Sequence, residues 1–323
     1  AFDHTEKVTG NGERKKTMNV VGFGTVAMDV LMQTAELPAE DGFAVIEKSE
    51  YLPGGSGTNV IAQLSRLGAS CGFVAQIGDD TVGAQIRQSL RDEGIDDSGL
   101  NVLPGGQSLH TKILVDAKGR KFILLDMGTA FLSLPDKPEN VAYCLRGDIL
   151  YTDLLPGAAT IAAVKAAKAQ GKKTVFNMQI GLPMMEGMGV SKEMILDVLP
   201  HLDVFAPCRD GLFALAGTQD VAEAAAYVRQ YFKGLLLVTL GGEGSVAYEA
   251  DGTVTRVPVD TRAAVVDTTG AGDSYLGGFI YDYLIRQRPL RDAMWFATVC
   301  AGCTCGKMGA RSGPTLAQVE ALL

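Results

Sequence analysis

Asp267-Thr268-Thr269-Gly270-Ala271-Gly272-Asp273 is the stretch on which the reading of this chain turns. A strand-like run, Ala263-Ala264-Val265-Val266, stands before it. Behind it Leu276, Phe279, Ile280, Tyr283 and Leu284 recur at helical spacing. The pattern predicts a strand, a tight Gly turn and a helix N-terminus. Glycines at 270 and 272 let backbone approach a ligand with no Cβ in the way. The free N–H groups of a first helical turn, with the helix dipole behind them, favour an anion at that point. Asp273 then sets one carboxylate at the mouth of the nest. A carboxylate beside an anion hole suits phosphoryl transfer: the amides hold the moving group and the carboxylate takes a hydroxyl proton. The plainer alternative is an acidic first-turn residue that complements the dipole.

Working outward, the 323 residues are 47% hydrophobic and carry a formal net charge of -8. That length allows one large α/β domain or two small ones, with a sizeable core. The acidic balance, with no long basic run, argues against a nucleic-acid or acidic-membrane partner. No apolar stretch is long enough to span a bilayer. The N-terminus lacks a basic-then-apolar signal pattern, so the chain reads as cytoplasmic. Residues 1–17 are polar without apolar period and read as a flexible leader, with the domain running from 18 to 323. Cys300-x-x-Cys303-x-Cys305 invites a metal reading, but a closed zinc site needs four ligands and no further Cys or His is near in sequence. A helix packed with small residues is the simpler expectation.

Strand-like runs at Met18–Val21, Cys71–Ile77, Gly147–Tyr151, Lys173–Asn177, Leu202–Phe205 and Leu235–Leu240 alternate with helical stretches. That alternation predicts a doubly wound, mostly parallel sheet whose ligands sit beyond the carboxyl ends of the strands. Asn177, at one such end, is either a phosphate contact or a turn residue. Gly22-Phe23-Gly24-Thr25-Val26-Ala27 matches a dinucleotide fingerprint, which makes a nicotinamide oxidoreductase a rival. The fingerprint requires a helix next, and Met28-Asp29-Val30-Leu31-Met32 reads instead as strand. Gly54-Gly55-Ser56-Gly57-Thr58-Asn59 is a second Gly-rich turn. It opens a helix carrying Val60, Ile61, Leu64 and Leu67, with Gly68 as its stop. Asp116-Ala117-Lys118-Gly119 reads as the turn of a β-hairpin.

The Asp267–Asp273 run closely resembles the C-terminal signature of the ribokinase-like (PfkB) family of sugar and nucleoside kinases. The Gly54–Asn59 turn resembles its N-terminal signature, and the order of motifs agrees from Met18 to Leu323. The resemblance implies a ribokinase-like α/β fold with a small β-sheet lid built from about 30–52 and 108–126. It implies an ATP-dependent kinase acting on a hydroxyl of a small sugar or polyol. Asp273 would be the base, with the amides of Gly270, Ala271 and Gly272 as the anion hole. Asp29, Gly54, Gly55 and Asn59 would contact the acceptor, although Asp29 also reads as a turn or edge residue. Asn177, Thr239, Gly241, Gly244 and Thr268 would lie on the nucleotide side, and Lys307–Arg311 beside the adenine. Mg²⁺, a monovalent cation such as K⁺ on backbone carbonyls, and a homodimer through the lid also follow from it.

Two departures from the family pattern stand out. Ser56 occupies a position where ribokinases proper tend to carry Lys, which speaks against ribose. Pro207-Cys208-Arg209-Asp210-Gly211 replaces an Asn- and Glu-containing motif that organises Mg²⁺. Asp210 is the one carboxylate left there, either helping the metal or capping a helix that starts at Gly211. If it does neither for the metal, Arg209 becomes a candidate phosphate contact. A non-enzymatic sugar sensor on the same fold is the second rival.

Overall fold

The buried apolar runs become strands, and the sheet they form sets out the site. The structure is a computed structural model and describes residues 18–323 except 119 and 263. Its strands are β1 (Met18–Phe23), β2 (Ala27–Thr34), β3 (Lys48–Gly54), β4 (Cys71–Gly78), β5 (Leu100–Leu103), β6 (His110–Asp116), β7 (Lys121–Asp126), β8 (Gly147–Thr152), β9 (Lys173–Met178), β10 (Val204–Pro207), β11 (Leu235–Thr239), β12 (Ser245–Tyr248) and β13 (Val254–Val257). A nine-stranded sheet runs in the order β13-β12-β11-β10-β9-β8-β1-β4-β5. It is parallel from β11 to β5, and β12 and β13 close one edge as an antiparallel hairpin. β4 is buried along its whole length, as a parallel strand covered by helices on both faces must be. Alternate residues feed two cores. Val21, Phe23 and Leu150 enter one, and Val20, Phe73 and Ile149 the other.

A second sheet, β3-β2-β6-β7, shares no strand with the first. Only Gly24, Thr25 and Val26 separate β1 from β2, so the chain passes from the end of the large sheet straight into the lid. Its strands fall in the segments expected to form a small second sheet, about 30–52 and 108–126. It also removes the context of the dinucleotide fingerprint, because a strand and not a helix follows Gly24. The lid is thinly covered: Phe122, Ile123, Leu124 and Leu125 of β7 are all exposed.

The helix Ala271–Phe279 packs between the helices Ser56–Arg66 and Leu290–Cys305. Close approach is what the small residues provide: a Cβ on Gly278 would stand 2.8 Å from the Cys300 sulfur. Cys300 is buried in this contact, and among the described residues no His, Cys, Asp or Glu cluster could hold a metal ion. Cys300 thus packs as a small apolar residue, while Cys303 and Cys305 are half-buried and Cys305 borders the larger cavity described below.

The strand expected at 263–266 does not form. Residues 264–266 are irregular, with Val265 69% and Val266 57% exposed, and Ala263 lies outside the described residues. Val266 and Asp267 both donate their N–H to the Cys305 carbonyl at the end of the neighbouring helix. With no strand edge alongside, β propensity has no ladder to join. The leader expected at 1–17 likewise lies outside the described residues.

Candidate active site

The Gly turn ends in Gly270, which caps the Ala271–Phe279 helix in the left-handed conformation, φ 77°. A Cβ there would sit 2.2 Å from the carbonyl oxygen of Ala310, so Gly270 is fixed both by its dihedral and by the loop pressed against it. Asp267 holds that loop in place. One of its carboxylate oxygens accepts from the N–H and hydroxyl of Thr269 (3.0 and 2.7 Å), and the other from the Gly309 N–H (3.0 Å). Burial works against its charge, but these bonds outweigh it and hold its carboxyl below the usual range. Ala271 gives its N–H to the Thr268 carbonyl (3.2 Å), and the first helical bond is Ser274 N–H to Gly270 (2.9 Å). Gly272 and Asp273 fall between them, at the positions whose amides a helix leaves unpaired.

Asp273 projects from this first turn toward the other Gly-rich turn. Ser56 Oγ donates to its Oδ1 (2.5 Å) and Asn59 Nδ2 to its Oδ2 (2.9 Å). Burial pushes the carboxyl up to about 6, against the pull of these two bonds and of nearby Arg311. Gly55 caps the Ser56–Arg66 helix at φ 82°, and Gly54, paired with Ala27 at the end of β3, lies against the Asp29 carboxylate of the neighbouring β2, which a Cβ there would approach to 2.6 Å. Asp29 accepts a hydrogen bond from Thr111 of β6. The structure therefore gathers Asp29, Gly54, Gly55, Asn59 and Asp273 from three separate stretches of sequence.

Two cavities meet at Asp273's turn. One, of about 180 Å³, is lined by Asn177, Gln179, Thr239, Gly270, Gly272 and Asp273 among others. Asn177 is the second-last residue of β9 and donates to the Tyr151 hydroxyl (3.2 Å). The other, of about 750 Å³, lies over Thr239, Gly241, Gly244, Thr268, Ala271 and Gly272. That is a volume suited to a nucleotide-sized ligand. The expected nucleotide-side residues thus border two neighbouring cavities that share Thr239 and Gly272 in their walls, with the first-turn amides between them.

The departure at 207–211 resolves differently from expectation. The helix runs Arg209–Ala216 and its cap is Cys208, whose sulfur accepts the Gly211 N–H (3.3 Å). Asp210 is not the cap: it lies inside the first turn, and its side chain is 86% exposed at the edge of the larger cavity. With the thiol at the cap position the acid points outward, its Oδ1 3.8 Å from Arg209 Nε. Arg209, on the same cavity, pairs with Glu243 (2.9 Å).

Three groups were not foreseen. Ser56 enters the reading only as a departure, yet its hydroxyl bonds Asp273. Asp153, wholly buried just past β8, accepts from Thr25 N–H (2.8 Å), Gln179 Nε2 (3.2 Å) and Leu155 N–H (3.2 Å), and burial raises it to about 6. An acid directly after a buried parallel strand was the available signal. Arg311 enters the sequence reading only as part of the loop expected beside the adenine, but its guanidinium lies instead against Gly54, Thr58 and Asn59, and a single Arg after a Gly-Ala turn has no period to betray that.

A doubly wound sheet with a detached lid, and a carboxylate at a Gly-capped helix start between two cavities, define a phosphotransferase-type architecture. The chain belongs to the pfkB family of carbohydrate kinases, whose pattern it matches over residues 17–316. It is 28% identical over 324 residues to fructokinase-1 of Zea mays, covering 94% of this chain and 97% of that protein. It is 29% identical over 308 residues to an ATP-dependent ribose-1-phosphate kinase of Halopiger xanaduensis, covering 95% and 98%. In fold it is similar to Arabidopsis thaliana ribokinase complexed with ribose and ATP (TM-score 0.82, 22% identity, 95% and 98% of the two chains). The nucleoside kinase of Methanocaldococcus jannaschii is similar also (TM-score 0.77, 19% identity, 94% and 97%).

Proposed function

We propose that this kinase transfers the γ-phosphoryl group of ATP to a hydroxyl of a small sugar or sugar-like polyol, with Asp273 as the base. The observation that carries the reading is the place of the Asp273 carboxyl. It stands at the first helical turn where the two cavities join, and it is bonded to the acceptor-side turn through Ser56 and Asn59. The acceptor hydroxyl approaches between the lid and this carboxylate, which takes its proton as the oxygen attacks. The unpaired first-turn amides hold charge on the phosphoryl oxygens. Closure of the lid excludes water, and positioning and electrostatics supply most of the rate. A coupled ADP-release screen across sugars, sugar acids, sugar phosphates and nucleosides tests the reading. ATP turnover with none of them would favour a sugar-binding protein without catalysis.

Asp29 is read as an acceptor contact on the lid. A site built to bond hydroxyls discriminates strongly when one group is lost. Asp29→Ala is therefore expected to raise KM for the sugar roughly tenfold or more while leaving KM for ATP within about twofold. Equal changes in both constants would take Asp29 out of the acceptor pocket.

Mg²⁺ would arrive with the nucleotide, where it neutralises phosphate charge. Among the described residues Asp210 is the carboxylate at the cavity edge best disposed toward its waters. Since Asp210 caps nothing, Asp210→Ala is expected to leave the melting temperature unchanged and to raise the Mg²⁺ midpoint of activity a few-fold, about 1 kcal/mol or less for an exposed charge. An unmoved midpoint would pass the phosphate-side role to Arg209. For a monovalent cation, Asp267 has both oxygens engaged by Thr269 and Gly309, so backbone carbonyls would have to supply the site, and no step is drawn through it.

A further inference from the structure

Arg311 sits under the acceptor side of the site in a setting unusual for a guanidinium. Its contacts are all neutral: Nε donates to Asn59 Oδ1 (3.0 Å), Nη1 to Ser89 Oγ (3.3 Å), and Nη2 to the Gly54 carbonyl (2.9 Å) and Thr58 Oγ1 (2.8 Å). No carboxylate among the described residues touches it. The space beside it is about 10 Å³, too small for any ligand, so it does not serve as a substrate anchor.

What it does follows from donor and acceptor rules. Arg has donors only, and an ionised carboxylate accepts only. Asn59 lies between the two, with an oxygen and an NH₂ to share. Facing Arg311, it must turn its oxygen to the guanidinium, which leaves its NH₂ aimed at Asp273 Oδ2 (2.9 Å). The same fork grips Gly54 and Thr58, fixing the start of the helix from which Ser56 and Asn59 both reach the carboxylate. From this geometry we infer that Arg311 is a positioning residue for the proposed base, orienting the Asn59 amide and setting a positive charge near Asp273. The inference rests on the reading of Asp273 as the base.

The charged and titratable groups around the pair are few. Arg311 feels Glu93, Arg66, Asp29 and Asp273. Asp273 is faced by Ser56, Asn59, Arg311 and the hydroxyl of Tyr151. Burial lowers Arg311 to about 10, which leaves it charged at neutral pH. Glu93, the strongest of these charges on Arg311, is itself paired to Arg66 (2.5 Å), and Arg311 in turn favours the charged form of Asp273.

The test uses the full chain and two variants, R311M and R311K, each checked by thermal melting. Asp273 is titrated by carbon-13 NMR of its carboxyl, assigned with D273N. Turnover is measured with MgATP and the panel sugar that reacts fastest. In R311M the Asp273 midpoint is expected to rise by about half a unit or more as the cation is lost, and kcat to fall roughly 10- to 100-fold. KM for ATP should move less than about twofold, because the nucleotide cavity is elsewhere. R311K keeps the charge without the fork, so it should restore the midpoint but not the rate. A folded R311M with an unmoved midpoint overturns the inference. So does wild-type kcat in R311K, the deciding measurement if R311M does not fold. A D273N enzyme with near wild-type kcat overturns instead the base assignment, which separates the two failures. Should no panel sugar react, the NMR titration still decides for or against Arg311.

Discussion

Asp273→Asn is expected to give a folded protein that binds ATP with nearly wild-type affinity and turns over its best acceptor roughly 10²- to 10⁴-fold more slowly. Asparagine keeps the size of the side chain and can still meet Ser56 and Asn59, so the site geometry survives while the proton acceptor is lost. Affinity for ATP is spared because the larger cavity is lined mainly by the β11 loop and the Gly turn. The pH dependence sharpens the expectation. Burial raises Asp273 to about 6, and a base works only when unprotonated, so wild-type kcat should fall as pH drops through about 6 and be flat above it. That limb should vanish from the residual activity of the variant. The sign for stability is the reverse of the usual salt-bridged acid. A carboxyl raised on folding binds more protons folded than unfolded between its ordinary value and about 6, so its ionisation opposes folding as pH rises through that window. The variant should therefore melt no lower than wild type at neutral pH. A stopped-assay pH profile and a melting curve check both halves, and near wild-type kcat would end the assignment.

Gly270→Ala is expected to reduce kcat by about 10²-fold and to lower stability by about 1–3 kcal/mol. An alanine at φ 77° is strained, and its Cβ would have to occupy a point 2.2 Å from the Ala310 oxygen. Either the turn or the 309–311 loop must move. Both bear on the first helical turn, where amides and carboxylate need to stay within fractions of an ångström of their working positions. Gly272→Ala provides the control for conformation, since a Cβ there meets nothing within 4 Å. It should melt like wild type. Gly270→Ala with wild-type stability and rate would show that the turn is not held as described.

The periodic features could be read from the amino acids alone, and the reason is physical. Buried strands such as Cys71–Gly78 and Leu235–Thr239 are continuous apolar runs because helices cover both faces. Each Gly-rich turn announces itself because few other residues tolerate its dihedrals. Asp273, Asn59 and Asp29 could be selected because each stands next to such a turn or at a strand entry. What stayed hidden depends on contacts between distant segments. Ser56 meets Asp273 across 217 positions, and Arg311 meets Asn59 across 252. Asp153 joins the turn after β1 to the segment after β9 only once three parallel strands lie side by side. Val265 and Val266 misled because β propensity says what a backbone prefers, not whether a partner strand is there. Asp210 misled because a cysteine sulfur took the capping position that an oxygen usually holds.

The independence of the two sheets bears on how such a protein can diversify. The lid joins the large sheet through four chain connections, after β1, at Gly54–Gly55, between β5 and β6 and after β7, and among the described residues no ladder bond ties one sheet to the other. Substitutions along β2, β3, β6 and β7 can therefore reshape the face presented to an incoming molecule without disturbing the register of β9 to β11 or the helix start at Gly270. Drift in preference and retention of chemistry become nearly orthogonal axes of variation. A mutational library confined to the lid should be rich in folded proteins that retain turnover machinery but favour different molecules. One confined to the Gly turns should be dominated by inactive chains.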